Sequence, residues 1–284
     1  MKKIKKAVIL AAGLGTRFLP ITKTFPKEML PIVDKPVLQY IIEEIVESGI
    51  KDIILVISKE KEIIKNYFQA NKKLEYFLKK RGKLDLLKEV KKTNKLANFT
   101  YLYQRKPLGI GDAILVAKEK IKNEPFGLFF ADDVIVSQKP CLAQMMMVYK
   151  NYPGTIFMVA RVPKKEVFHY GIAKVKKIKK RIYQVLDVIE KPKEEVFSNF
   201  AIVGRYILEP EIFKILTKIK PQKNQEIYLT DAIKILLKER KPVYAYQAKG
   251  QWLSCGNKIG WLKANIKIGL QHQEIKKELK QYLK

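Results

Sequence analysis

The stretch Ala7-Val8-Ile9-Leu10-Ala11-Ala12 is an apolar run of strand length that breaks directly into Gly13-Leu14-Gly15-Thr16-Arg17, and Pro26-Lys27-Glu28-Met29-Leu30-Pro31 follows shortly after. Few arrangements suit such a start. A strand ending in a glycine loop at the edge of a parallel sheet leaves backbone N–H groups facing outward, and a neighbouring arginine and lysine add fixed positive charge, so the segment is built to meet a polyphosphate. It is neither of the two common phosphate loops. The dinucleotide fingerprint needs a third glycine where Phe18 stands, and the Walker loop ends in Gly-Lys-Ser/Thr where this chain has Thr16-Arg17-Phe18.

Beyond the loop, apolar runs bounded by turn residues alternate with helical spacing, the pattern of a parallel sheet covered by helices on both faces. Strands are predicted at 7–11, 53–57, 99–103, 127–131, 155–162, 182–189, 203–208 and 243–247. Between the first two, Val37, Tyr40, Ile41 and Ile45 recur at helical spacing and Gly49 sits where a helix stops, completing a βαβ unit. Further helices are predicted over 60–70, 111–121 and 144–149. The fold class is α/β, a doubly wound Rossmann-like sheet, mixed and mainly parallel. At 284 residues and 47% apolar composition the chain can bury a full core as one domain over 1–284, and no linker divides it. Residues 71–98 read as a lysine-rich helical insertion with Leu74, Phe77, Leu78, Leu84, Leu86 and Leu87 at amphipathic spacing, which must cover apolar surface of its own sheet or of a second copy; a homo-oligomer is expected. Residues 258–284 read as terminal helices.

No apolar stretch approaches the roughly 20 residues of a membrane span. The basic start resembles an export signal, but its apolar part is short and leads straight into the glycine loop, so it reads as a first strand and the expected location is cytoplasmic. Cys141 and Cys255 are too few for a disulfide framework, and His169 and His272 too few for a histidine metal site. A formal charge of +29 keeps nucleic acid open as a partner, yet the lysines are dispersed along the chain without a nucleic-acid-binding motif, which favours a lysine-rich surface.

Ala12 to Arg17 with Pro26-Lys27 resembles the Ala-Gly-x-Gly-Thr-Arg and Pro-Lys signature of the sugar-phosphate nucleotidylyltransferases. The resemblance extends through Ser198-Asn199-Phe200-Ala201-Ile202-Val203-Gly204-Arg205-Tyr206 and Glu226-Ile227-Tyr228-Leu229-Thr230-Asp231-Ala232 and covers nearly the whole chain. The insertion resembles that of the bacterial UTP:glucose-1-phosphate uridylyltransferases. The resemblance implies transfer of uridylyl from UTP to glucose 1-phosphate with Mg²⁺ as cofactor, giving UDP-glucose and pyrophosphate. A related sugar-phosphate nucleotidylyltransferase, or a homologue that has lost turnover and binds polyanions, stays open.

The same resemblance assigns candidate residues. Arg17, Lys27, Asp132 and Lys191 are the expected catalytic set, and Ala12, Gly13, Gly15, Thr16, Gln104 and Gly109 the nucleotide site. The sugar phosphate is expected in the half spanning 154–250, at Gly171, Glu190, Lys191 and Val203. Chemistry supports several of these on its own terms. Asp132-Asp133 ends the apolar strand Phe129-Phe130-Ala131, at the sheet edge where ligands bind, and a carboxylate there is a hard oxygen ligand for Mg²⁺. A glutamine such as Gln104 can donate to one edge group of uracil while accepting from its ring N–H. Asp112 follows it and suits a helix N-cap. Adjacent Glu190 and Lys191 would point to opposite faces of a regular strand. Ser254 stands where the resemblance expects an aspartate, so the second metal carboxylate is missing.

Overall fold

The computed structural model describes residues 2–194, 198–221 and 226–284. Strand β1 (Lys6–Leu10) leads through the glycine loop and a short hairpin of β2 (Pro31–Ile32) and β3 (Lys35–Pro36) into helix α1 (Val37–Glu47) and strand β4 (Asp52–Ile57). Helices α2 (Glu62–Phe68), α3 (Lys72–Lys80) and α4 (Leu84–Asn94) precede β5 (Asn98–Tyr103), and α5 (Ile110–Val116) and α6 (Lys118–Ile121) precede β6 (Phe126–Phe130). Then come β7 (Asp133–Val136), α7 (Cys141–Asn151), β8 (Thr155–Arg161), β9 (Gly171–Lys179), β10 (Ile182–Glu190) and β11 (Phe200–Leu208). The chain closes with α8 (Ile212–Lys218), α9 (Leu229–Lys238), β12 (Val243–Tyr246), β13 (Gln251–Ser254), α10 (Lys258–Gly269) and α11 (Lys276–Tyr282).

Among the described residues nine strands form one sheet in the order β5-β4-β1-β6-β11-β8-β12-β10-β9. The first four pair in parallel, β8 and β12 are parallel, and β11 and β10 run against their neighbours, so the sheet is mixed with most strands pointing one way. Alternation of side chains explains the two layers. Ala7, Ile9, Ile53, Leu55 and Phe129 face a core with Ile41 and Ile45 of α1, Ile64 of α2 and Met145 of α7. Val8, Ile54, Val56 and Leu128 face the opposite core with Ile114 of α5, Leu216 of α8 and Ile233 of α9. Strands buried on both faces need continuous apolar runs, which is what the sequence shows at β1 and β4. The stop at Gly49 is as expected: its N–H donates to Val46 O and that of Ile50 to Ile45 O, with Gly49 at φ +90°.

The expected strands are all present; β11 is extended, and among the described residues β2, β3, β7, β9 and β13 are additions. β11 begins at Phe200 rather than 203. β9 was not expected because Lys174, Lys176, Lys177 and Lys179 hide its alternation; its start also pairs with β11 at Ile172 opposite Ala201, and the lysine-rich remainder is of a kind that blocks further pairing. β7 and β13 are short and pair only with each other. The predicted helix over 111–121 is broken into α5 and α6 at Ala117. In the α3–α4 hairpin Leu78 and Leu87 are buried, whereas Leu74, Phe77, Leu84 and Leu86 remain exposed, so the insertion covers its own sheet only in part.

Candidate active site

The ends of β1, β4, β5 and β6 share the carboxyl edge of the parallel half; the loops after β1 and β5 carry the expected residues of the nucleotide site and the loop after β6 carries Asp132. After Ala12, Gly15 adopts φ +69° and opens a 3-10 turn, Thr16–Phe18, that brings Arg17 round. A side chain at 15 would be strained by that φ and would press on Thr22, whose hydroxyl donates to Gly15 O at 2.9 Å. Gly13 has open space around it.

Beneath the loop lies a group the sequence reading missed. Lys61 Nζ donates to Ala11 O at 2.7 Å, to Gly13 O at 2.6 Å, and to both Glu28 oxygens at 3.0 and 3.1 Å. It therefore ties the loop carbonyls to the Pro26-Lys27-Glu28 segment. Burial pulls Lys61 down and Glu28 up, and each opposes the other's shift by its charge; the two carbonyls and the one carboxylate around Nζ are three accepting groups for the three donors of an ammonium. One hint was legible: a lysine at the N-cap of α2 opposes the helix dipole and needs a local reason.

Lys27 and Arg17 converge on the first acid after β6. Lys27 Nζ lies 2.5 Å from Asp132 Oδ2 and Arg17 Nη2 lies 4.0 Å from the same oxygen. Arg17 is 65% exposed, whereas Lys27 and Asp132 are 16% and 17% exposed. Burial works against both charges of the close pair, but Asp132 and Glu28 hold Lys27 above its ordinary value, and Lys27 with Arg17 holds Asp132 below its own. Asp133 has a different place. Its oxygens accept from Gly204 N–H at 3.1 Å and Trp252 Nε1 at 2.6 Å, and burial with the nearby Asp132 charge pushes its carboxyl up to about 6. It is engaged within the fold, not aimed at the edge.

The β13 end closes on the same acid. Ser254 pairs with Asp133 across β13 and β7, and Cys255 N–H donates to Asp132 O at 2.7 Å. The position where the resemblance expects a second carboxylate therefore lies across the strand pair from Asp133 and next to the residue bonded to Asp132 O. A Cβ on Gly256 would sit 2.8 Å from Asp132 Oδ2 and 3.2 Å from Arg17 Nη2. Among the described residues no group of three or more metal-ligating side chains is assembled. Asp132 alone fits a Mg²⁺ that takes its other ligands from water and phosphates.

Gln104 follows β5 and is buried, with its Nε2 donating to Asp112 Oδ2 at 2.8 Å and to Gly109 O at 3.1 Å. Asp112 is not the N-cap expected from sequence: Gly109 is, at φ +90°, and Asp112 lies in the first turn of α5 without a capping bond. A Cβ on Gly109 would meet Ile227 N at 2.9 Å, so that position is held by close packing as well as by its backbone angle.

On the other half, Glu190 ends β10 opposite Gly171 of β9, and a Cβ on Gly171 would lie 3.2 Å from Glu190 Oε2. Thr230 Oγ1 donates to that oxygen at 3.2 Å, and burial raises Glu190 while Lys191 and Thr230 oppose the rise. Lys191 has φ +38°, uncommon for a lysine, and its N–H donates to Tyr170 O at 3.1 Å. The regular pleat therefore ends at Glu190, and the opposite-face objection to this pair lapses. Val203 is not brought to the site surface: it is fully buried in the core, where β11 and β8 lose register between Ile202 and Tyr206.

A glycine loop, two cations on a strand-end carboxylate and a second cluster across a mixed sheet define a nucleotidyl-transferring class. The chain belongs to the nucleotidyl transferase family, whose model matches residues 6–269. It is 45% identical over 285 residues to the UTP–glucose-1-phosphate uridylyltransferase of Staphylococcus haemolyticus, spanning 100% of this chain and 99% of the relative. Among solved structures, UTP-bound UGPase from Acinetobacter baumannii superposes with a TM-score of 0.91 at 38% identity, covering 99% of each chain. UDP-glucose pyrophosphorylase complexed with UDP-glucose gives 0.86 at 39% identity, over 95% of this chain and 100% of that one. No helix among the described residues is long and apolar enough to cross a membrane.

Proposed function

We propose that this chain is a cytoplasmic, single-domain enzyme that transfers the uridylyl group of UTP to glucose 1-phosphate, giving UDP-glucose and pyrophosphate. The observation that carries the reading is the convergence of Arg17 and Lys27 on Asp132 below the glycine loop, in a chain similar over its full length to uridylyltransferases. A phosphate oxygen of the sugar attacks the α-phosphorus of UTP in line; its new P–O bond forms as the bond to the bridging oxygen of pyrophosphate breaks. The nucleophile is already anionic, so no base is required, and the work is charge screening and alignment.

In this reading the backbone of Ala12, Gly13, Gly15 and Thr16 receives the nucleotide, Arg17 and Lys27 neutralise the leaving pyrophosphate, and Gln104 and Gly109 meet the base. Gly171 and Glu190 receive sugar hydroxyls and Lys191 the sugar's phosphate, while Val203 shapes the site only from within the core. Asp132 would hold Mg²⁺, whose charge when bound would screen the phosphates. The exposed Leu74, Phe77, Leu84 and Leu86 support a homo-oligomer formed through the α3–α4 hairpin, tested by light scattering of the protein and of a Phe77→Glu variant.

Pyrophosphate release across a panel of nucleoside triphosphates and sugar 1-phosphates, with Mg²⁺ titrated, tests the function. UTP with glucose 1-phosphate should be the preferred pair, and preference for another pair overturns the substrate assignment. Lys191→Ala should raise KM for the sugar phosphate; an effect confined to UTP would relocate Lys191.

A further inference from the structure

Gln104 is positioned before any base arrives. Its backbone N–H donates to Ile57 O at 2.9 Å and its side chain is buried beside the start of α5. The amide nitrogen has two hydrogens, and both are engaged: one by Asp112 Oδ2 at 2.8 Å, the other by Gly109 O at 3.1 Å. A carboxylate and a carbonyl can only accept, so the chemistry of the neighbours fixes which end of the amide faces them. What the side chain offers a third partner is Oε1 alone. The two-point contact anticipated from sequence, donating and accepting at once, is unavailable while Asp112 keeps its bond.

We infer that Asp112 is a positioning residue for base selection, holding the Gln104 amide so that the site presents an acceptor to the nucleobase. The inference rests on the proposed placement of the base at Gln104. Uracil and thymine carry a donor at ring N3, which this acceptor satisfies. Cytosine carries a lone pair there, so a cytosine in the same pose leaves a buried acceptor facing another acceptor. Released from Asp112, the amide can turn and donate to cytosine N3. Asp112 thus excludes CTP without touching the base.

The test is the ratio of kcat/KM for UTP to that for CTP, with glucose 1-phosphate as cosubstrate, in the wild type, Asp112→Ala, Asp112→Asn and Gln104→Ala. Asp112→Ala should lower the ratio about tenfold or more, the worth of one hydrogen bond at a neutral partner, mainly through the two KM values. Asp112→Asn keeps an acceptor oxygen and should restore most of the ratio. Calorimetric titration with UTP and CTP gives the same comparison without turnover, and Asp112→Leu repeats it should the alanine variant be too unstable. A ratio within twofold of wild type in Asp112→Ala and Asp112→Leu overturns the inference, whatever the loss in melting temperature or absolute rate, because a purely helix-stabilising carboxylate would affect both nucleotides alike. Gln104→Ala separates the two levels of argument. If it leaves KM for UTP unchanged, the base site itself is misplaced; if it raises that KM while Asp112→Ala keeps the ratio, the base site stands and the role of Asp112 falls.

Discussion

Replacing Lys61 with Met removes the buried cation bonded to the glycine-loop carbonyls and keeps the aliphatic volume. The Glu28 carboxylate, 1% exposed, then loses a partner at 3.0 Å, and Ala11 O and Gly13 O lose their donor. Breaking a buried ion pair from one side costs about 3–5 kcal/mol, because the remaining charge stays buried and uncompensated. Set against a total stability of about 5–15 kcal/mol, that is a large share. At about 2–4 °C per kcal/mol for a chain somewhat shorter than this one, melting should fall by about 6–20 °C. Lys61→Met combined with Glu28→Leu removes both charges and should recover more than half of the loss, leaving the cost of the unpaired loop carbonyls. Thermal and urea unfolding of the four proteins in that cycle provide the measurement. A single-variant loss below about 1 kcal/mol, or strict additivity in the double variant, refutes the reasoning, since groups in direct contact must couple. The double variant should still raise KM for UTP, because the loop has lost its tether.

Ser254→Asp supplies the second carboxylate that the resemblance expects and should lower the Mg²⁺ concentration needed for half-maximal turnover; identical Mg²⁺ titrations in both proteins would refute the view that Asp132 stands alone. Gly256→Ala puts a methyl 2.8 Å from Asp132 Oδ2 and should cut kcat/KM by about tenfold or more with little change in overall folding, read by circular dichroism beside the activity assay. Asp133, pushed up to about 6 by burial and by Asp132, keeps its proton in the native state between about pH 4 and 6, where the unfolded chain has lost it. Its contribution to stability therefore falls as pH rises through that window, by about 3 kcal/mol in all, and urea unfolding from pH 4 to 7 should show a shallower fall in Asp133→Asn. Asp132, held below its ordinary value, acts in the opposite sense, its contribution being lost only as pH drops below about 4.

What could be read from the sequence divides by the range of the interaction. The strand at 7–11, the helix ending at Gly49 and the acids after Phe130 announce themselves because each depends on residues close in the chain: an apolar run, a periodicity, a glycine at a stop. β9 escaped because its outward side chains are lysines and its inward pattern lasts only through Ile172, Ala173 and Val175. Lys61 escaped because its meaning lies in contacts with Glu28 and the loop, 33 and 48 residues away. Asp112 was placed on the correct helix with the wrong partner, since first-turn acids cap helices often and an amide across the loop leaves no periodic trace. Val203 shows the converse failure: a motif position was read as a contact, while its 0% exposure makes it packing under the site.

The two most buried ion pairs among the described residues explain how a loop-built site can be held accurately. Arg205, 1% exposed, donates to Glu44 Oε2 at 2.8 Å, to Gly204 O at 3.0 Å and to Asp133 O at 2.5 Å. Lys61 does the same for the loop after β1. Burying such charges costs about as much as their attraction returns, so apolar side chains of equal volume would serve stability as well. Apolar side chains cannot grip carbonyl oxygens. Each cation here spends its donors on a partner carboxylate and on backbone carbonyls of the segments that carry Asp132 and the glycine loop. Pinning the main chain on both sides fixes the distance between those segments, and that distance decides whether Arg17 and Lys27 meet Asp132. The ionic core under this edge of the sheet is thus placed for position rather than for stability.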